Sequence, residues 1–140
     1  MNILLFLTPK NEVTLLYDDY TVGQALRSIE NGGHPSVPVI RRSGEYVGTV
    51  TEGDILWYVR GTGLSFEEAE KQPLRLVPHR RDNRPVRAGM DLTGLLESSM
   101  EQSFAPVVDD RGVFIGIITR KRVLSHLCDE MKLQKFLKQA

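Results

Sequence analysis

The amino-acid sequence predicts a protein of the α/β (α+β) class, built from two units that each run strand, helix, strand, strand, helix. Three observations carry this reading. The chain matches itself: Ser36-Val37-Pro38-Val39-Ile40, Gly44 and Tyr46-Val47-Gly48-Thr49-Val50-Thr51 recur as Phe104-Ala105-Pro106-Val107-Val108, Gly112 and Phe114-Ile115-Gly116-Ile117-Ile118-Thr119, at a constant offset of 68 residues. Upstream, residues 16–22 and 25–26 align with 86–92 and 95–96 at offset 70, so the first copy has two extra residues in its Asn31-Gly32-Gly33-His34 loop. Within each copy, short continuous apolar runs alternate with apolar residues at helical spacing. Finally, 140 residues with 41% hydrophobic content make one ordinary domain, or two small units that must share a core.

The elements follow in order. The apolar start Ile3-Leu4-Leu5-Phe6-Leu7 has no basic residue before it and stops at Thr8-Pro9. It is too short for a signal-peptide core or a membrane span, and reads as a segment docked on the domain. Val13 to Leu16 leans towards a strand. Asp18-Asp19-Tyr20-Thr21 then turns into a helix that Thr21 caps, with Val22, Ala25, Leu26 and Ile29 on one face; Asn31-Gly32-Gly33 ends it. Val37 to Ile40 and Tyr46 to Val50 are paired strands around the turn Arg41-Arg42-Ser43-Gly44-Glu45. Thr51 caps a second helix carrying Ile55, Leu56 and Val59.

Arg60-Gly61-Thr62-Gly63 breaks the chain before a short acidic helix from Ser65 to Lys71. Pro73, Pro78 and Pro85 keep the following stretch extended or looped. The second copy repeats the order, with Asp91 in the capping place of Thr21 and a turn at Asp109-Asp110-Arg111-Gly112. Its last helix runs through Leu124, Leu127, Met131 and Phe136 into a basic tail. The expected organisation is a first repeat with its N-terminal docking segment at 1–60, a linker at 61–78, and a second repeat with the C-terminal helix at 79–140.

Charge narrows the function classes. The formal net charge of zero argues against a dedicated nucleic-acid binder. It hides a split: residues 1–70 hold 5 Lys/Arg and 10 Asp/Glu, and residues 71–140 hold 13 and 8. Six cations against one acid, Asp82, lie between Lys71 and Arg87. That stretch is either a solvated linker or a source of cations for a bound phosphate. The lone Cys128 forms no internal disulfide, which suits a reducing cytoplasm, and its apolar neighbours suggest plain packing. His34, His79 and His126 are scattered, so no metal site is expected. No nucleophile has an orienting base, and no catalytic residue is proposed.

The starts of the two second helices carry the chemistry. Thr51-Glu52-Gly53-Asp54 places a hydroxyl at the helix cap and a carboxylate three residues on. The free N–H groups of such a start suit a phosphate, and Asp54 suits the two hydroxyls of a ribose. The same pattern is also an ordinary capping arrangement. The second copy has Thr119-Arg120-Lys121-Arg122 in this place. Cations in a first helical turn cost roughly 0.3–1 kcal/mol each when exposed. They either point to screened solvent, or an anion occupies the helix end with Thr119, Arg120 and the linker arginines converging on it. Trp57 and Tyr58 either pack in the core or line a partner surface, and His34 is either a solvent-exposed loop residue or a phosphate contact.

Together these residues resemble a tandem pair of cystathionine-beta-synthase-type (CBS) domains, a Bateman module. The apolar-Pro-Val strand, the Gly-x-apolar-Thr strand end and Thr-x-x-Asp at the next helix carry the resemblance, which covers nearly the whole chain. It implies two repeats packed through their sheets with pseudo-twofold symmetry, often dimerising. It implies no required cofactor, but an adenosine-containing regulatory ligand such as AMP, ADP, ATP or S-adenosylmethionine in a cleft between the repeats. By the resemblance Thr51 contacts phosphate, Asp54 holds the ribose and Thr119 takes the phosphate role in the second copy. Arg122 stands where the second ribose-binding acid belongs, so either the second site is empty of nucleoside, or Arg122 and Arg120 serve the phosphates of a ligand whose ribose sits on Asp54. Ser36, Val37, Phe104 and Ala105 are the strand-edge candidates for base contacts, with a core role the alternative for Phe104. Thr119-Arg120-Lys121 is also similar to small stand-alone receptors of cyclic di-AMP. The expected protein is a cytoplasmic sensor or regulator, a homodimer with an unidentified protein partner. A ligand-free dimerisation scaffold and weak nucleic-acid binding by the linker are the alternatives.

Overall fold

In the computed structural model, which describes residues 2–139, each half of the chain forms a small sheet with helices against it. The elements are β1 (Thr8–Pro9), β2 (Leu16–Tyr17), α1 (Val22–Gly32), β3 (Ser36–Ile40), β4 (Tyr46–Thr51), α2 (Glu52–Thr62), α3 (Phe66–Glu70), β5 (Val86–Arg87), α4 (Leu92–Glu101), β6 (Phe104–Val108), β7 (Phe114–Thr119) and α5 (Arg120–Gln139). In each half the first strand runs parallel to the second, with a helix between them, and the second pairs antiparallel with the third. The β-α-β-β-α repeat read from the sequence is therefore present twice. No helix among the described residues is long and apolar enough to cross a membrane.

Local chemistry explains the helix starts. Thr21 and Gln24 form a reciprocal capping box on α1, Thr51 and Asp54 form another on α2, and Asp91 accepts from the Gly94 N–H on α4. Gly33 and Gly63 end α1 and α2 in the left-handed conformation that favours glycine. β2 covers only Leu16–Tyr17 rather than beginning at Val13, because ladder pairing is confined to Leu16 with Val39 and Tyr17 with Ile40.

Each half has its own apolar core. Leu16, Val22, Ala25, Ile29, Val37 and Ile55 are among the residues of the first; Val86, Leu95, Val107, Ile118 and Val123 belong to the second. The core is thus divided, not common to both units. Ile40, Val108 and Phe114 are buried outside either cluster. The two hairpins meet there and exchange backbone bonds. The Tyr46 N–H donates to the Gly112 carbonyl at 3.3 Å and the Phe114 N–H to the Gly44 carbonyl at 2.9 Å. These four residues are pairwise equivalents at offset 68, so a pseudo-twofold axis passes between the hairpins.

The segments ahead of the repeats cross over. The N-terminal segment, grouped by sequence with the first repeat, docks on the second: Ile3 and Phe6 join its core and β1 pairs with β7. The linker instead docks on the first repeat, through Leu74 and Val77 in its core and through the Val22 N–H to the Gln72 carbonyl at 2.8 Å. Each repeat is completed by the chain that leads into the other.

Candidate functional site

A cavity of about 500 Å³ lies between the repeats. Val13, Val37, Phe104 and Ile117 give it apolar walls, and Thr14, Ser36, Ser103 and Thr119 bring hydroxyls to it. Crossing chain segments build it. Thr8, Glu12, Val13 and Thr14 come from the stretch before β2, Ser36–Pro38 from the start of β3, and Thr119 from the end of β7. At that end the Arg122 N–H donates to Thr119 Oγ1 at 3.1 Å, so Thr119 caps α5 beside the cavity. His34 lies at its rim and is exposed.

Of the residues singled out by sequence, Ser36, Val37, Phe104 and Thr119 are brought together here. Phe104 is both buried, at 7% exposed, and part of the wall. The others lie elsewhere. Ala105 is a core residue of the second repeat. Arg120 donates from Nε to the Ser99 carbonyl at 2.7 Å, near the C-terminal end of α4. Arg122 lines a separate pocket with Leu5, Phe6, Ser125, His126 and Asp129. No Lys or Arg lines the 500 Å³ cavity among the described residues.

Thr51 and Asp54 form a tight unit on the first repeat. Asp54 is 2% exposed, and its Oδ2 accepts from the Thr51 N–H at 3.0 Å while the Asp54 N–H donates to Thr51 Oγ1 at 3.0 Å. Its other oxygen accepts from the Arg80 backbone N–H at 3.2 Å. Asp54 also lines a groove of about 370 Å³ with Trp57, Tyr58, Gly61, Thr62, Pro78 and Arg80.

The linker cations do not converge on Thr119. The Arg80 guanidinium lies 5.2 Å from the Trp57 ring centroid, Arg81 donates to the Glu101 carbonyl, and Arg84 pairs with the Glu101 carboxylate. They gather instead around α2 and the C-terminal end of α4, where free carbonyls attract cations. Trp57 is 44% exposed and Cys128 is exposed, so neither packs in a core as its neighbours in sequence suggested. Asp19 pairs with Arg42 through two bonds, and that hydrogen bond holds its carboxyl below the usual range. Asp109 is likewise lowered by the Val113 and Arg111 N–H groups, the turn chemistry expected of it.

Sequence reasoning did not identify Thr8, Glu12, Val13, Thr14, Pro35, Pro38, Ser103 and Ile117 as lining residues. The repeat carried a usable signal for several of them, since Pro35 and Ser103, like Ser36 and Phe104, are equivalents flanking the same strand start.

Comparison with known proteins places this architecture. A CBS-domain family model matches residues 7–61 and 79–129. The chain belongs to the CBS-domain family. As a tandem CBS protein it is similar in structure to CbpB in complex with c-di-AMP, with 25% identity, a TM-score of 0.87, and coverage of 100% of this chain and 91% of that one. It is also similar to a CBS domain protein from Streptococcus pneumoniae TIGR4, with 30% identity, a TM-score of 0.80 and coverage of 91% and 86%. A third likeness is to the CBS domain of a bacterial CNNM/CorC family Mg2+ transporter in complex with ATP, with 25% identity, a TM-score of 0.70 and coverage of 89% and 84%. No match to the chain was found among curated proteins.

Proposed function

We propose that this CBS pair is a non-catalytic regulatory module of the cytoplasm that takes an adenine nucleotide of the AMP, ADP or ATP type between its repeats and signals to a protein partner. The observation that carries the reading is the inter-repeat cavity. Val13, Val37, Phe104 and Ile117 offer an apolar slot for a flat base, and the Thr119-capped start of α5 brings hydroxyl and helix-end dipole to one edge. The similar CBS domain in complex with ATP supports it. A second reading, cyclic di-AMP, is favoured by the similar CbpB, which is in complex with that ligand.

The module acts as a homodimer. Leu56 on α2 and Leu124 on α5 are equivalents at offset 68 and are 59% and 51% exposed, an apolar pair suited to a second copy. Ligand shifts the packing or the dimer surface only as far as its affinities for the two states differ.

The test is thermal unfolding and calorimetry with AMP, ADP, ATP, S-adenosylmethionine, NAD and cyclic di-AMP. A ligand at 100 times its Kd adds about 2.7 kcal/mol to stability, a clear rise in Tm. Thr119→Val is expected to weaken the binding by roughly tenfold. No shift and no heat with any of the six sinks the reading and leaves a ligand-free scaffold.

A further inference from the structure

The pseudo-twofold axis relates two clefts whose linings differ at matched positions. Glu12, Val13 and Ile117 line the open cavity; the repeat offsets place Asp82, Asn83 and Thr49 at their counterparts. The apolar Val13 and Ile117 thus correspond to the hydrogen-bonding Asn83 and Thr49, while Glu12 corresponds to a second carboxylate, Asp82. The Thr49 N–H donates to Asp82 Oδ1 at 2.8 Å, and the Asn83 N–H donates to Thr49 Oγ1 at 3.2 Å. The Tyr46 hydroxyl donates to the Asn83 carbonyl at 2.7 Å, and Asn83 Nδ2 donates to the Phe104 carbonyl at 2.8 Å. This network joins both repeats through one short piece of linker.

Three consequences meet at this cleft. The strand edge of Phe104, equivalent to the Ser36 edge at the open cavity, is already occupied by the Asn83 amide. Asp54, the residue at the position of a ribose-binding acid, has one oxygen on the Thr51 N–H and the other on the Arg80 N–H. Thr49 is fully buried beneath the segment. A nucleoside entering here has to displace several made hydrogen bonds, including those of the buried Thr49 and Asp54, which would then lack their partners. Gly48 fits the same picture, since a Cβ there would lie 2.5 Å from Asp82 Oδ1.

We infer that residues 79–84 are an internal occupant of the second cleft, and that Asp82 and Asn83 restrict the chain to one nucleotide, bound on the Thr119 side. The inference deepens the proposed function and rests on it for the existence of a ligand. Asp82 and Asn83 are positioning residues, for they act through the path of the linker.

The experiment is titration calorimetry with ATP, and in parallel with cyclic di-AMP, on the wild type and on Asp82→Ala/Asn83→Ala. The wild type is expected to bind one ligand per chain and the double variant to gain a second, weaker event. Two events in the wild type, or one in a folded double variant, overturn the inference. If the double variant does not fold, Thr49→Val removes the oxygen that accepts from the Asn83 N–H and bonds the Tyr46 hydroxyl, and reads the same gain. Hydrogen exchange separates this outcome from failure of the functional reading. With no ligand bound, the Asn83 amide is expected to be protected in the wild type and to exchange about tenfold faster in Thr49→Val. An unprotected Asn83 amide overturns the internal occupant, whereas a protected one in a chain that binds neither ATP nor cyclic di-AMP upholds it and removes only the nucleotide reading.

Discussion

Tyr46 joins three functions in one side chain. Its backbone bonds to Gly112 across the pseudo-twofold axis, its ring stacks at 6.5 Å on its equivalent Phe114, and its hydroxyl reaches Thr49 and Asn83. Burial pushes its phenol from 10.0 up to about 12, opposed by the Thr49 hydrogen bond and assisted by the Asp82 charge. The folded state therefore favours the neutral phenol. Its contribution to stability is intact below pH 10 and is lost as pH rises through about 12. A tyrosinate absorbance titration is expected to show a signal near 12 that Tyr46→Phe removes. Tyrosine ionisation complete well below that value in the folded protein would contradict the burial account. At this scale the sequence was legible where bonding is local: the caps at Thr21, Thr51 and Asp91 connect residues three apart. It was not legible for Asp54 with Arg80, 26 residues apart, because the linker path follows from tertiary packing.

At the scale of elements, β1 depends on a glycine in β7. Gly116 has a φ of 156°, and a Cβ there would run into the Thr8 carbonyl, so close approach of the N-terminal segment requires its absence. Gly116→Ala is expected to detach β1, expose Ile3 and Phe6, and destabilise the protein by about 2–5 kcal/mol, the range for losing a large core side chain. A urea unfolding midpoint unchanged from wild type would refute the dependence. The identity of Gly48 and Gly116 was visible as a repeat, but the segments they accommodate were not, because neither segment repeats the other's sequence. The basic first turn of α5 has a similar lesson. Arg120 faces the positive end of its own helix yet reaches the Ser99 carbonyl near the negative end of α4, a contact that no helical period predicts. Helical spacing also left the outward side of α2 undecided, and there the guanidiniums of Arg60 and Arg80 lie 5.5 and 5.2 Å from the Trp57 ring centroid.

For the whole molecule, the two −5 and +5 halves are not independent bodies. A fragment of residues 1–60 contains β2, α1, β3, β4 and most of α2 but lacks Leu74 and Val77 from its core, and the second repeat alone lacks Ile3 and Phe6. Each is expected to be largely unfolded by circular dichroism and amide dispersion, whereas the joined chain unfolds cooperatively. A cooperative thermal transition in either isolated fragment would show the crossed segments to be dispensable. The family and the two-repeat plan were readable from the 68-residue offset. The ownership of each docking segment was not, since adjacency in sequence favours the wrong repeat.

The same crossing makes the boundary between one copy and two a matter of which chain supplies each segment. Nothing in the bonds from Gln72 to Val22, or from β1 to β7, identifies the chain of origin. At high concentration, a pair of molecules can satisfy every one of these contacts by trading repeats, if the residues 60–65 connection straightens. Shortening that connection would favour an interlaced dimer over two closed monomers, a domain-swapped species separated from the monomer by an unfolding barrier.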